Sequence, residues 1–291
     1  MKPAPFSYHR PRELAEALAL LGRLGDTAKP LAGGQSLGPM MNMRITRPEH
    51  LVDLNDLIDL DYVRPSADIV EIGAMTRHQR LATSVETRRD LPLLAEAAAT
   101  IGHYAIRWRG TLGGSLSHAD PAAQLPLVAV TLGADIVLQS TIGTRVVAAS
   151  KFFLSIMTVD LKPGELVTAV RFPRMGARAS TAFEMFSLRH GDFAVVSAAV
   201  SLTRDASGAI ETLRLGMGGV APVPQRLTAV ETAAMGSPSN AEMAKSFAEL
   251  AANSVSPEDD TRVPAEFRRE LVKDVTMRAL IRAFERKEVP V

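Results

Sequence analysis

Cysteine is absent from all 291 residues. The chain therefore has no disulfide and no all-thiolate zinc site, and it cannot hold an iron–sulfur cluster on thiolates. If the protein does redox chemistry, the centre is a bound organic cofactor, and any metal relay sits on another chain. Excess charge of one sign is also missing: 33 basic and 32 acidic side chains leave +1, which gives no polybasic surface for nucleic acid or membrane. No apolar run reaches the ~18 residues of a bilayer span. The opening Met1-Lys2-Pro3-Ala4-Pro5-Phe6 lacks the apolar core of a secretion signal, so the cytoplasm is the expected location. What remains is ordinary for a globular protein, with 46% hydrophobic and 22% charged residues. That is ample material for a core, and the length suggests two domains.

Periodicity places a helix over Pro11–Leu24, with Leu14, Ala17, Leu18 and Leu21 on one face. Short strands follow at Pro30–Ala32, Leu51–Leu54 and Ile69–Ala74. Thr76 is read as the cap of the next helix, and Pro92–Ile101 as another. A helix beginning near Asp120-Pro121 leads to strands at Asp135–Leu138 and Thr144–Val147. Glu165–Phe172 reads as a strand that Pro173 ends. This mixture indicates an α+β domain. The loop Arg174-Met175-Gly176-Ala177-Arg178 marks a boundary. Beyond it, Thr181–Leu188, Phe193–Leu202 and Ile210–Gly216 resemble an antiparallel sheet, followed by helices near Arg226–Ala234, Ala241–Ala252 and Pro264–Arg286.

Two glycine-rich loops carry the chemistry: Ala32-Gly33-Gly34-Gln35-Ser36 and Thr111-Leu112-Gly113-Gly114-Ser115. Without a Cβ, glycine lets backbone N–H groups approach an anion closely, and successive N–H groups form an anion-binding concavity. Two such loops can hold the two phosphates of a dinucleotide from opposite sides. Neither follows the G-x-G-x-x-G or G-x-x-x-x-G-K-[ST] pattern. Ordinary turns or backbone-packing glycines are the competing reading, weakened by the matching Gly-Gly-x-Ser and Gly-Gly-Ser endings.

Three segments, Leu31–Leu37, Arg107–Ser115 and His118–Ala123, make the sequence resemble the flavin subunits of molybdenum hydroxylases. These are the medium chains of carbon monoxide dehydrogenase-type enzymes, related to the flavin domain of xanthine dehydrogenase. Phe6-Ser7-Tyr8, Leu51–Leu54 and Gly191-Asp192-Phe193-Ala194 match in order, so the resemblance covers nearly the whole chain. It implies an α+β, two-part FAD-binding domain of the vanillyl-alcohol oxidase (PCMH) type over residues 1–175, with subdomains of about 1–55 and 56–175. A smaller CO dehydrogenase flavoprotein-like C-terminal domain, an antiparallel sheet with helices, would span 176–291.

The implied cofactor is FAD. Its contacts carry over to Ala32, Gly33, Gly34, Gln35, Ser36, Leu37, Ile101, Thr111, Leu112, Gly113, Gly114, Ser115, His118, Asp120, Gln124, Leu166 and Arg189. No catalytic side chain and no metal ligand is expected here. The resemblance puts the molybdenum cofactor on a large partner and [2Fe–2S] clusters on a small one, in a heterohexamer of two trimers. Electrons would pass through FAD to an external acceptor. A free-standing flavoenzyme of the same fold and a cofactor-free scaffold are the alternatives. Three positions depart from the family: Trp108 stands where Asn is common, Gln124 where an acid is frequent, and Met185 where many relatives have Lys.

Individual residues keep two readings. His118 faces the flavin or a partner's cluster, or is a polar side chain at a loop edge. Asp120 before Pro121 suits a helix N-cap, which is compatible with touching the cofactor. Arg189 and His190 set the electrostatics of the isoalloxazine or are surface charge. Met40, Met41 and Met43 pack behind the first loop. Tyr104 and Trp108 mark a partner surface or are buried aromatics.

Overall fold

The computed structural model describes residues 2–176, 178–261 and 263–286. Ala177 of the expected boundary loop lies outside them. The chain opens with β1 (Ser7–His9), α1 (Leu14–Leu24), β2 (Ala28–Leu31), α2 (Leu37–Asn42) and β3 (His50–Asp53). The three strands form a parallel sheet in the order β1-β3-β2. Helix α1 begins three residues after Pro11 and ends at Gly25. Its Ala17, Leu18 and Leu21 are buried against Val52, Leu54, Leu57 and Leu60, as the helical spacing of these apolar residues requires.

The next stretch supplies β4 (Val63–Pro65), β5 (Ile69–Gly73), α3 (His78–Thr83), α4 (Val85–Asp90), α5 (Pro92–Ala99), α6 (Tyr104–Arg109), α7 (Leu112–His118) and α8 (Gln124–Leu132). It ends with β6 (Asp135–Gln139), β7 (Thr144–Ala148), α9 (Ala149–Phe152), β8 (Phe153–Ser155), β9 (Thr158–Val159) and β10 (Leu166–Pro173). An antiparallel sheet runs β4-β5-β10-β6-β7. Its central strand β10 is buried from Leu166 to Val170 without alternation, because both faces are covered. Pro173 lies inside the strand, paired with Ile69 at the last register position, where a missing N–H is tolerated. Helix α8 is buried along all nine residues.

Two expected caps fall elsewhere. Thr76 does not cap α3, whose N-cap is Arg77. Its hydroxyl instead donates to the Tyr62 carbonyl at 3.0 Å and accepts from the Tyr62 N–H. Asp120 accepts from the Ala122 N–H at 2.8 Å, a tight turn that delays the helix to Gln124, so Asp120 caps no helix.

The remaining elements are β11 (Ser180–Phe186), β12 (Val196–Arg204), β13 (Ile210–Gly218), β14 (Gln225–Arg226), α10 (Thr228–Ala234), α11 (Ala241–Asn253) and α12 (Ala265–Glu285). The strands form an antiparallel sheet in sequence order, and α10, α11 and α12 bury Val230, Phe247, Val275 and Leu280 against it. Helix α8 reaches this sheet too: the Thr131 hydroxyl and Leu127 lie directly over Gly216 of β13. The two halves of the chain are thus joined through a wholly buried helix. Among the described residues, no helix is long and apolar enough to cross a membrane.

Asp90 ties the end of β10 to α4. Its carboxylate is 2% exposed and takes Arg89 at 2.6 Å and Arg174 at 2.9 Å. The bond from Arg89 outweighs burial and, with Arg174, holds the carboxyl below the usual range. A depressed folded value stabilises above the unfolded value and is lost as pH falls through the folded one. Asp90→Asn is therefore expected to cost about 2 kcal/mol at neutral pH, since both arginines are more than a third exposed and screened. Denaturant titration should show the deficit shrinking below about pH 4, as the wild-type carboxyl itself protonates.

Candidate functional site

A cavity of about 720 Å³ opens between the two glycine loops, within the roughly 300–1,000 Å³ typical of ligand pockets. The first loop connects β2 to α2, and Gly34 takes a left-handed φ of +71°, which lets the chain reverse there. The second loop leads from α6 into α7. The two touch through backbone. A Cβ on Gly33 would lie 2.2 Å from the Arg109 carbonyl oxygen and 2.8 Å from the Gly110 Cα, so only glycine fits. On Gly114 it would lie 3.6 Å from the Ala32 Cβ.

The loops differ in what they offer a ligand. None of the amides from Gly33 through Leu37 donates to a protein acceptor, and the Ser36 hydroxyl is likewise uncommitted among the described residues. In the second loop the amides from Leu112 to Ser115 are spent internally. The Leu112 N–H goes to the Thr76 carbonyl at 3.0 Å and the Gly113 N–H to the Ala74 carbonyl at 2.8 Å. The Gly114 N–H goes to the Thr111 hydroxyl at 3.1 Å, the N-cap of α7. Only the first loop is an open row of amides; the second is a docked helix start.

A polar network holds the pair together. Asn55 donates to the Ala32 carbonyl at 3.0 Å and accepts from Arg77 at 2.7 Å. Arg77 in turn reaches the Arg109 carbonyl at 2.5 Å. Asp53 anchors Asn55 from behind, and Tyr8 donates to it. Burial raises the Asp53 carboxyl, but these hydrogen bonds prevail and keep it below its ordinary value. His78, 7% exposed, has its Nε2 2.9 Å from the Thr111 carbonyl. Burial pushes it down to about 4, so at neutral pH the ring is neutral and Nε2–H donates.

Of the residues singled out from sequence, the cavity wall includes Ala32, Gly33, Gly34, Gln35, Ser36, Leu37, Ile101, Thr111, Gly113, Gly114, Ser115, His118, Asp120, Gln124 and Leu166. Two lie elsewhere. The Leu112 side chain is fully buried in the core beneath α7. Arg189 is exposed on the turn before Gly191, where its carbonyl accepts from Asp192 and Ser187. Met40 lines the cavity, Met41 is buried, and Met43 is 53% exposed. Tyr104 and Trp108 are both exposed, their rings edge-on at 5.8 Å. Sequence reasoning missed His78, Ala74, Met75, Met157 and Thr158 on the wall. None sits in a motif; His78 is a lone histidine, and residues 153–159 lack strand alternation.

A family model described as "FAD binding domain in molybdopterin dehydrogenase" matches residues 4–175. The chain belongs to this FAD-binding family. A second model, "CO dehydrogenase flavoprotein C-terminal domain", matches residues 181–283. The chain is 37% identical over 286 residues to the 6-hydroxypseudooxynicotine dehydrogenase complex subunit alpha of Paenarthrobacter nicotinovorans, covering 98% of this chain and 97% of that one. It is 38% identical to the glyceraldehyde dehydrogenase medium chain of Sulfolobus acidocaldarius, with 96% and 98% covered. Among solved structures, a Cu,Mo-CO dehydrogenase chain superposes with a TM-score of 0.94 at 36% identity, covering 99% and 100%. A chain of quinoline 2-oxidoreductase from Pseudomonas putida 86 gives 0.93 at 34%, covering 98% and 99%.

The uncommitted amides of this FAD-binding protein suit an anionic diphosphate, which supplies acceptors where the protein supplies none. Gly33→Ala is expected to force the two loops apart and to abolish most flavin retention. Gly38→Ala is the control, because a Cβ there meets nothing within 4 Å. It should leave the flavin content unchanged and stabilise α2 by up to about 1 kcal/mol. Flavin absorbance per chain, with thermal melting alongside, reads both.

Proposed function

We propose that this chain is the medium, FAD-binding subunit of a molybdenum hydroxylase complex. In this reading, electrons arrive from [2Fe–2S] clusters on a small partner chain and leave to an external acceptor. The molybdenum cofactor sits on a large partner, and the assembly is a heterohexamer of two trimers. The observation that carries the reading is the run of five uncommitted amides, Gly33 to Leu37, facing a cavity wide enough for a dinucleotide. Relatives named as the medium chain of carbon monoxide dehydrogenase, from Afipia carboxidovorans and Hydrogenophaga pseudoflava, support it at 37% and 35% identity.

FAD, when bound, supplies the redox chemistry itself, while the protein provides binding, orientation and electrostatics. Residues 33–37 would donate to the diphosphate, with the Ser36 and Ser115 hydroxyls adding donors beside them. Ala32, Thr111, Gly113 and Gly114 would form the narrow backbone walls on either side. Ile101 and Leu166 would cover apolar surface and exclude water. His118, Asp120 and Gln124 would meet polar groups of the nucleotide. No cysteine is present to ligate a cluster, so the one-electron relay that precedes FAD belongs to another chain.

The test is isolation of the chain with its co-purifying polypeptides, followed by release and identification of the chromophore. The expected outcome is FAD at one per chain, with iron, sulfide and molybdenum on two further chains. Reducing substrate should bleach both flavin and cluster absorbance. A yellow chain that purifies alone and oxidises a small molecule would favour the free-standing flavoenzyme. A colourless chain that ignores added FAD would overturn both.

A further inference from the structure

Arg77 precedes α3 and is half-buried, behind the glycine loops rather than on the cavity wall. Its guanidinium spans the two loops. Nη1 donates to the Arg109 carbonyl at 2.5 Å and Nη2 to the Asn55 Oδ1 at 2.7 Å. Both acceptors are neutral, and Arg77 forms no ion pair among the described residues. Burial and the nearby Arg109 both act against its charge and together outweigh the pull of Asp61 and Asp53. Asp61 is itself engaged by Arg80 at 2.9 Å, and Asp53 by Tyr8 and Asn55. Arg77 is thus short of counter-charge, and a desolvated charge without a partner costs free energy.

Its position gives that shortage a meaning. The Arg109 oxygen it holds is the atom that would lie 2.2 Å from a Cβ on Gly33. The guanidinium therefore stands behind the start of the amide run 33–37, with one carbonyl between. On the cavity side the wall offers little positive charge. Lys29, an exposed side chain, is the one lysine or arginine among the lining residues, against the acids Asp120, Glu165 and Asp192. A ligand that sets an anion on these amides meets donors in front and a cation behind. In a partly desolvated setting such a charge acts more strongly than the same charge in water.

Resting on the FAD reading above, we propose that Arg77 is the counter-charge for the cofactor's diphosphate, acting through the backbone of the first loop without touching the cofactor. The bond to Arg109 positions the guanidinium, and the charge supplies affinity. A charge that is costly without an anion favours the binding of one. An uncharged flavin gains nothing from it, so preference for the dinucleotide over riboflavin comes partly from outside the cavity.

The test compares FAD with riboflavin, which carries the same ring and no phosphate. It uses the full chain with its co-purifying partners after the cofactor is stripped, with dissociation constants read by flavin fluorescence. Arg77→Gln should weaken FAD by about 10-fold and riboflavin by less than about 3-fold, the contrast expected of one partly screened charge. Arg77→Lys, which keeps the charge and gives up the fork, should recover most of the FAD affinity. A purely bridging role predicts instead that both variants loosen the loops and weaken the two ligands in parallel. Parallel losses, no recovery in Arg77→Lys, or unchanged FAD affinity in Arg77→Gln would each overturn the proposal while leaving FAD binding in place. Should Arg77→Gln not fold, Arg77→Met, which keeps the apolar stem, is read against Arg77→Lys by the same ratio. If riboflavin binds too weakly to titrate, recovery in Arg77→Lys decides alone. A wild-type chain that binds neither flavin would remove this inference and the function it rests on together.

Discussion

Everything about the cavity depends on two stretches of backbone touching where a side chain would normally keep them apart. The Cα of Gly33 lies against the Arg109 carbonyl and Gly110 so closely that even a methyl group has no room. The contact joins the small parallel sheet to the helices α6 and α7, which come from a different layer of the fold. Such an approach is not stabilised by apolar burial, because little apolar surface is present. It is held by polar groups that bridge it: Asn55 reads the Ala32 carbonyl and Arg77 the Arg109 carbonyl, and the two side chains meet each other. A bridge of this kind works only if each member is oriented from behind, which Asp53 and Tyr8 do for Asn55.

The asymmetry of the loops follows from their connections. The first leaves a strand whose hydrogen bonds end at Leu31, so the next amides have no ladder to join. Buried backbone donors are rarely left unmet, and a run of five on a cavity wall is stable only because solvent or a ligand reaches it. The second loop enters a helix already pressed onto Ala74 and Thr76, so its amides from Leu112 to Ser115 are spent before a ligand arrives and the Ser115 hydroxyl is left. Its contribution is shape. One loop thus supplies charge complementarity and the other rigidity, a division that the near-identical Gly-Gly-Ser endings conceal.

That concealment shows how far the sequence could be read. Strands β2 and β3, α1, the antiparallel C-terminal sheet and the three last helices were legible because hydrophobic spacing reports burial on one face, whereas β1 was not read as a strand. Fifteen of the positions taken as cofactor contacts lie on the wall; the glycines and serines among them carry a local backbone signal, while Ile101, His118, Asp120, Gln124 and Leu166 came only from the family resemblance. The Thr76 and Asp120 caps were misplaced because each side chain found a closer backbone partner than a helix end. Leu112 and Arg189 show the limit of transfer by position: being next to a wall residue does not say which way a side chain points. His78 was invisible, since its role comes from a carbonyl 33 residues away.

The same logic explains why the cavity needs both halves of the chain although its glycine loops lie in one. Helix α8 is buried on every side because it packs between the central sheet and the C-terminal one. Its first residue, Gln124, is therefore the point where an element fixed by two cores reaches the cavity wall. Met185 is set by the pairing of β11 with β12, where it stands opposite Ser197. Rigidity on one side of the cavity comes from backbone contact and on the other from packing shared between two sheets. A shift of the C-terminal sheet would move Met185 and Gln124 but leave Gly33 against Arg109. Tightness at the first loop and packing at α8 are accordingly separable properties of the site.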